Sequence, residues 1–186
     1  MQIWLNGQLV DSVAADVSIG GWPSGEGVFE TIRTQDGEIF ELGRHMRRAL
    51  EAATTKGFSL PNEEVVRTGI RSLLTCEAHA IGRLRLLFSK GRFIAVHQPY
   101  ADATAPVRLM IMQDCTGLSS MTIKTFPYEH RLSLLALARK KGFDEIICSN
   151  EGDEISEGAV SNFLFRIDGK WATTPLSSGV LPGIQR

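Results

Sequence analysis

Alternation of apolar and polar residues marks several short β-strands at the start of the chain. Turn signals at Asn6-Gly7 and Asp36-Gly37 separate them, because such dipeptides tolerate the positive φ angles of tight hairpins. The predicted strands are Gln2 to Leu5, Gln8 to Val10, Val28 to Thr34 and Glu38 to Phe40. The pattern predicts an antiparallel meander.

Two stretches with helical periodicity follow. Apolar residues spaced for one helix face predict a helix from Leu42 to about Thr55, ended near Gly57, with Arg48 on another face. Its apolar positions are Leu42, Met46, Ala49, Leu50 and Ala53. A second helix is predicted after Leu60-Pro61-Asn62, lasting to about Cys76.

The middle of the chain returns to strand patterns and then loses its periodicity. Strands are predicted at Arg83 to Phe88, Phe93 to Val96 and Val107 to Met112. The next residues contain Gly and Ser without a hydrophobic period, which is typical of a linker. We therefore predict an N-terminal α+β domain at 1–113, a linker at 114–120 and a second domain at 121–186.

The second domain repeats the mixture of strands and helix. A short strand is predicted to lead into Lys124, followed by a helix that ends at Gly142 after three cations, a normal helix end. The helix carries Leu132, Leu135, Ala136 and Arg139, and the later strands are Glu145 to Cys148, Asn162 to Ile167 and Lys170 to Thr173. The whole chain is thus expected to be α+β.

Composition narrows the class of partner. The 186 residues include 20 Lys plus Arg against 21 Asp plus Glu, with no block of like charge. This balance argues against nucleic acid or a membrane surface and favours a small-molecule partner. No apolar stretch approaches the ~18 residues of a membrane span. The first residues lack a signal-peptide pattern, so a cytoplasmic protein is expected.

Cysteine and histidine spacing argues against a metal site. Cys76, Cys115 and Cys148 are odd in number and share no C-x-x-C spacing, which favours buried, reduced thiols over disulfides or zinc. The histidines show no ligand spacing either. No metal is therefore predicted.

Taken singly, the residues that could carry chemistry are weak signals. Gly25-Glu26-Gly27 matches neither a P-loop nor a dinucleotide fingerprint and is more typical of a tight turn. A lone Arg48 or Lys124 is more often a solvated surface charge. Their order along the chain is more informative.

That order resembles a known family. The first half carries Gly27 to Arg33 (GVFETIR), His45-x-x-Arg48 and Arg83 to Phe88 (RLRLLF). The second half carries Lys124 to Tyr128, Gly142 to Glu145, Ile155 to Phe163, Thr174-Pro175 and Leu181 to Arg186. This series resembles the class IV aminotransferases and their relatives. The family includes branched-chain aminotransferase, D-amino-acid aminotransferase and 4-amino-4-deoxychorismate lyase.

The resemblance implies a fold, a cofactor and roles for single residues. The fold would be the two-domain fold-type IV architecture, like D-amino-acid aminotransferase, and the cofactor would be pyridoxal 5'-phosphate (PLP). Lys124 would form the Schiff base and then act as general base and acid. Glu157 would keep the pyridine nitrogen protonated, so that the ring accepts electrons. Arg48 would bind the phosphate.

Further positions follow from the same resemblance. Backbone N–H groups of Gly183 and Ile184 would complete the phosphate site if a helix starts there. The hydroxyl of Tyr128 would bind the cofactor's ring oxygen, although a helix-entry tyrosine would look the same. Thr31 and Arg85 would contact the substrate. Arg85 would bind the substrate's carboxylate, although a solvated arginine would look the same in the sequence.

Two reactions fit these residues. The Phe29 to Arg33 string and the Lys124-Thr-x-x-Tyr128 spacing are more similar to 4-amino-4-deoxychorismate lyase than to branched-chain enzymes, where Gly commonly follows the Glu. The lyase yields 4-aminobenzoate and pyruvate for folate synthesis. A branched-chain or D-amino-acid aminotransferase is the alternative, and Lys124 serves either reaction.

Family members continue beyond the Leu181 to Arg186 segment, so the resemblance implies an incomplete second domain and cofactor site in these 186 residues. Loss of a tail is the favoured interpretation. A noncatalytic fragment or binding module that kept the motifs is an alternative of a different class. The family is usually homodimeric, which implies a homodimer here.

Overall fold

The structure, a computed structural model, describes residues 1–102, 104–113 and 123–186. Its contacts group the described residues into two units. The first contains Met1–Asp102 with Lys124–Pro127, and the second contains the described part of Ala103–Ile123 with Tyr128–Arg186. The predicted linker at 114–120 lies outside the described residues. The division at that linker stays a prediction.

Strands and helices alternate along the described chain. The strands are β1 Gln2–Leu5, β2 Gln8–Asp11, β3 Gly27–Gln35, β4 Glu38–Ile39, β5 Ile81–Ser89, β6 Arg92–Pro99, β7 Leu109–Gln113, β8 Thr125–Phe126, β9 Glu145–Ser149, β10 Leu164–Ile167 and β11 Lys170–Thr173. The helices are α1 Leu42–Thr55, α2 Glu63–Cys76 and α3 Glu129–Lys140. The mixed content is the α+β class that the sequence predicts.

A seven-stranded antiparallel sheet forms the first unit, in the order β2-β1-β6-β5-β3-β4 with β8 paired to β3. The strands predicted at the start of the chain are present, but the predicted meander is wrong. β1 lies beside β6, and β3 lies beside β5, so β2 and β3 are not neighbours. Alternation shows which side of a strand is buried, and it does not identify the neighbouring strand.

The strand near Lys124 differs from its predicted position. The structure describes it at Thr125–Phe126, after the lysine, where it pairs with β3. Residues 121 and 122 of the predicted strand lie outside the described residues.

Both helices predicted in the first unit are confirmed. α1 has the predicted bounds, and α2 follows Asn62, whose side chain accepts a hydrogen bond from Val65 N at 2.9 Å. α1 packs on β3, and α2 packs on β1 and β6. Leu50, predicted on the apolar stripe of α1, is 53% exposed because the buried face centres on Met46 and Ala49. In the described ranges, no helix is long and apolar enough to cross a membrane.

Two helical glycines offer a matched test of this packing. A Cβ at Gly69 of α2 would lie 2.5 Å from Nε1 of Trp4, whereas one at Gly43 of α1 would meet nothing within 4 Å. Gly69→Ala is expected to lower the free energy of unfolding by about 1–3 kcal/mol. Gly43→Ala should be neutral or stabilise by up to about 1 kcal/mol, because alanine favours helix. Urea unfolding measures both, and equal effects would contradict the close packing of α2 on β1.

The second unit contains a parallel strand pair, a helix and a hairpin. β7 pairs with β9 in parallel, and α3 packs on β9. β10 and β11 form an antiparallel hairpin. The apolar core of the second unit consists of Leu134, Leu135, Ala138, Ile146, Cys148 and Ala159.

The two described cysteines, Cys76 and Cys148, are free thiols. Cys148 is buried, as predicted, but Cys76 is exposed at the end of α2, so the prediction of a buried thiol is wrong there. Cys115 lies outside the described residues.

Candidate functional site

One face of the large sheet carries three of the predicted site residues. Thr31 of β3 lies directly opposite Arg85 of β5. Phe29 points to the same face, since residues two apart on a strand share a side. Phe29 N donates a hydrogen bond to the carbonyl oxygen of Lys124 over 2.9 Å, and the Lys124 side chain lies over the Phe29 ring. The sheet therefore brings Lys124, Thr31 and Arg85 to one surface.

Two aromatic rings connect the lysine to the arginine. The Nζ atom of Lys124 lies 4.6 Å from the centre of the Phe29 ring. Phe29 in turn meets Trp22 edge-on, with ring centres 4.8 Å apart. The guanidinium carbon of Arg85 lies 4.0 Å from the centre of the Trp22 ring. Cations are attracted to ring faces, so the aromatic pair supports both charged side chains. We call Lys124, Phe29, Trp22 and Arg85 the amine–guanidinium row.

Arg85 also fixes a loop against the sheet. Its Nη1 donates hydrogen bonds to the carbonyl oxygens of Gly20 at 2.7 Å and Gly21 at 3.0 Å. Gly21 has a φ of +78°, and a Cβ there would lie 2.8 Å from Nη1 of Arg85. Both the backbone angle and the lack of space therefore favour glycine. Burial, and then the nearby charge of Arg83, lower the pKa of Arg85 to about 10.

Two guanidiniums on this face lack an acidic partner among the described residues. Arg83 lies two residues before Arg85 and donates through Nη2 to Oε1 of Gln98 at 2.9 Å. The buried Nε atoms of Arg83 and Arg85 have no hydrogen-bond partner in the described part of the chain. Because uncompensated buried charge is unfavourable, this surface favours an anionic group.

The opposite side of β3 carries a buried ion-pair cluster. Glu30 is 1% exposed and accepts from Arg48 Nε at 2.8 Å and from Arg48 Nη2 at 2.5 Å. His45 Nδ1 lies 2.6 Å from Oε2 of the same carboxylate. Burial alone would raise the pKa of Glu30, but hydrogen bonds and charge from His45 and Arg48 outweigh it, so the pKa is lowered.

The cluster shows that Arg48 is not a solvated charge of the helix. Its side chain is 11% exposed and faces the sheet, although the periodicity of α1 had placed it away from the apolar stripe. The His45-x-x-Arg48 spacing puts both residues on one side of the helix, where both reach Glu30. The bidentate contact fixes the plane of the guanidinium.

Glu157 lies in a second polar network, within the second unit. Its Oε1 accepts from Arg131 Nη2 at 2.8 Å. Its Oε2 accepts from Asn162 Nδ2 and from Leu181 N, each at 3.0 Å. The carboxylate is therefore buried, paired with a cation and held at both oxygens.

Tyr128 and the Gly183-Ile184 segment also lie in the second unit. The Tyr128 hydroxyl donates to the carbonyl oxygen of Ala159 over 3.3 Å. A Cβ at Gly183 would lie 1.8 Å from Oδ1 of Asn162, so a larger residue there would displace the Asn162 side chain. In this segment Arg186 N donates to Gly183 O at 3.4 Å, and the phosphate-binding role of Gly183 and Ile184 stays a prediction.

Sequence reasoning gave no site role to four residues that contact the predicted ones. These residues are Trp22, Phe29, Glu30 and Arg131. Phe29 and Glu30 lie inside the quoted GVFETIR motif, whereas Trp22 follows a glycine pair that only indicates a turn. The described ranges hold no cluster of three or more His, Cys, Asp or Glu side chains placed to bind a metal.

Comparison with known proteins covers nearly the whole chain. The model of the family described as amino-transferase class IV matches residues 27–186. The chain is 25% identical to the D-alanine aminotransferase of Bacillus licheniformis, over 100% of this chain and 72% of that protein. It is 24% identical to a putative aminodeoxychorismate lyase of Schizosaccharomyces pombe, over 86% of this chain and 71% of that protein.

A solved structure shares the fold. A hypothetical aminotransferase from Mycobacterium tuberculosis, solved with α-ketoglutarate and PMP bound, matches with a TM-score of 0.81. The match covers 98% of this chain and 74% of that chain, at 17% sequence identity. The two-domain fold-type IV architecture predicted from the motifs is thereby confirmed for the part that this chain spans.

Proposed function

Because the chain belongs to the amino-transferase class IV family, we propose that it is a PLP-dependent enzyme that acts on an acidic amino substrate through Lys124. Members of this family depend on PLP. The observation that carries the proposal is the amine–guanidinium row, which sets a primary amine and a buried cation on one surface. These groups suit a substrate that carries an amine and a carboxylate.

The residues present fit PLP. The cofactor requires a lysine amine, donors for its phosphate and an acid for its ring nitrogen. Lys124 offers the amine, and Arg48 offers a guanidinium oriented by two bonds to Glu30. Glu157 offers a buried carboxylate that accepts hydrogen bonds from Arg131, Asn162 and Leu181 N. The donor set therefore matches the chemistry of each part of the cofactor.

Each residue would act through a defined group. Nζ of Lys124 would bind the cofactor covalently and later move the proton of the substrate carbon attached to nitrogen. Arg48 would hold the phosphate, and the charge of Glu157 would hold a proton at the ring nitrogen. Thr31 and Arg85 would orient the substrate. When bound, PLP supplies an electron sink for the carbon that loses its proton.

Within the family, 4-amino-4-deoxychorismate lyase is the activity we propose first. Thr31 follows Glu30 where branched-chain enzymes commonly have Gly, which supports this choice. The unpartnered Nε atoms of Arg83 and Arg85 beside an aromatic pair also suit a ring that carries carboxylates. Lys124 would take the proton, pyruvate would leave from the neighbouring carbon, and 4-aminobenzoate would form.

A D-amino-acid or branched-chain aminotransferase is the second candidate. The D-alanine aminotransferase relative aligns with 100% of this chain, against 86% for the lyase relative, which favours this activity. In that reaction Lys124 would return the proton, and no pyruvate would be released. A homodimer stays a prediction for either activity.

Covalent trapping tests the proposed function. The 186-residue chain is incubated with PLP, reduced with borohydride and mapped by mass spectrometry. We expect one adduct, at Lys124, because reduction fixes the bond between a lysine amine and the aldehyde. Assays then compare 4-aminobenzoate release from 4-amino-4-deoxychorismate with keto-acid formation from D-alanine and from leucine. No adduct, or one spread over other lysines, would favour a noncatalytic fragment of this fold.

A further inference from the structure

Arg131 has the largest of the fully buried side chains in the described ranges, with 1% exposure. It lies on the buried face of α3 with Leu134, Leu135 and Ala138. Arginine is almost never buried to this degree unless it is paired. Its partners should therefore explain why it is there.

Those partners are the side chain and the backbone of one short segment. Nη2 donates to Oε1 of Glu157 at 2.8 Å, and Nη1 donates to the carbonyl oxygen of Gly158 at 3.4 Å. Nη1 also lies 3.8 Å from Sγ of Cys148. The rigid fork of the guanidinium thus fixes both the carboxylate and the residue that follows it.

Two further donors to Glu157 are neutral. Asn162 Nδ2 and Leu181 N both bind Oε2, so they orient the carboxylate without adding charge. A buried carboxylate that loses its cation tends to take up a proton, since burial disfavours the charged form. The buried ion pair with Arg131 therefore favours the ionised form of Glu157.

We propose that Arg131 is a positioning residue that keeps Glu157 ionised and aimed at the ring nitrogen of PLP. The inference rests on the proposed function, because it gives Glu157 that partner. Arg131 acts through Glu157 and need not touch cofactor or substrate.

PLP affinity and its pH dependence test the role. Arg131→Met is expected to lower PLP affinity, measured by absorbance titration, at least about 10-fold at pH 7, because Glu157 becomes neutral. The loss should shrink as pH rises, since higher pH ionises Glu157 again. Arg131→Lys keeps the charge and should recover most of the affinity. Arg139→Met is the matched control, because Arg139 is an exposed residue of the same helix.

A double-mutant cycle separates positioning from packing. Glu157→Gln should lose affinity without the pH dependence, and adding Arg131→Met should cost little more. A purely structural role predicts instead that Arg131→Met lowers only the free energy of unfolding, with PLP affinity and its pH profile equal to the wild type. That result would overturn the inference. Carbon-13 NMR of the Glu157 carboxyl in cofactor-free protein gives a second measurement: protonation at the same pH in wild type and Arg131→Met would also overturn it.

The two proposals fail differently. If wild-type protein captures no PLP at Lys124, the proposed function fails, and the cofactor role of Arg131 fails with it. If the wild type captures PLP but Arg131→Met binds it equally well, only the inference about Arg131 fails. If Arg131→Met does not fold, Arg131→Lys decides: wild-type pH dependence with affinity within a few-fold supports the inference, and a loss equal to that of Glu157→Gln overturns it.

Discussion

Replacing Lys124 by arginine is expected to abolish covalent capture of PLP and to lower kcat by at least about 10³-fold. The guanidinium preserves the positive charge over the Phe29 ring, so the sheet surface should keep its packing. Arginine stays protonated and cannot serve as the nucleophile or the base. The substitution therefore removes the chemistry of the amine while keeping its charge. Borohydride trapping with peptide mapping and steady-state kinetics measure the two effects.

Two further variants sharpen the comparison. Lys124→Met removes the charge as well, and it should match Lys124→Arg in activity while losing somewhat more stability. Lys56→Met removes an exposed lysine at the end of α1 and should leave adduct and activity at wild-type levels. An intact adduct yield in Lys124→Arg would refute the assignment of the cofactor lysine.

Replacing Glu30 by glutamine should destabilise the protein by about 3–5 kcal/mol, because it removes the buried charge that pairs with the largely buried Arg48. The Glu30 carboxylate is 1% exposed and accepts two hydrogen bonds from Arg48. His45 Nδ1 lies 2.6 Å from the same carboxylate. Urea unfolding at pH 7 measures the loss. Glu64→Gln is the matched control, since Glu64 pairs with Arg71 at 2.9 Å with both side chains mostly exposed. Such surface pairs contribute about 1 kcal/mol or less.

The same variant has a defined pH dependence. The pKa of Glu30 in the folded protein is lowered from its ordinary value of 4.5, so its stabilising contribution is complete above that pH. It is lost as pH falls through the lower, folded pKa. The stability gap between wild type and Glu30→Gln should therefore narrow in acid. A gap that stays constant from pH 7 to pH 3 would contradict an ionised Glu30.

Local pattern was enough to locate most elements. α1 has its predicted bounds because its apolar stripe and Gly57 are local features that the tertiary structure reinforces. The order of the strands was not predictable in the same way. β1 joins β6 across more than 80 residues, with Trp4 opposite Ala95, and nothing in either strand identifies the other as its neighbour.

The same distinction between local pattern and tertiary contact holds for the candidate site. The ordered motifs were sufficient to select Lys124, Thr31 and Arg85, and the sheet brings them to one face. Trp22 could not be placed in advance, because its contact with Arg85 depends on a loop that folds back across the strand. The apolar spacing of α3 could have indicated that Arg131 is buried, but not that its partner is Glu157, 26 residues later.

By itself, the sequence determined the family, the cofactor class and the positions of the helices, because motifs and periodicity are carried by residues close together in the chain. Only the tertiary structure decided which charges are paired. Glu30 holds Arg48, and Arg131 holds Glu157, because strand and helix packing excludes water there and leaves each charge the other as its partner. Such pairing depends on long-range packing, which local sequence spacing does not encode.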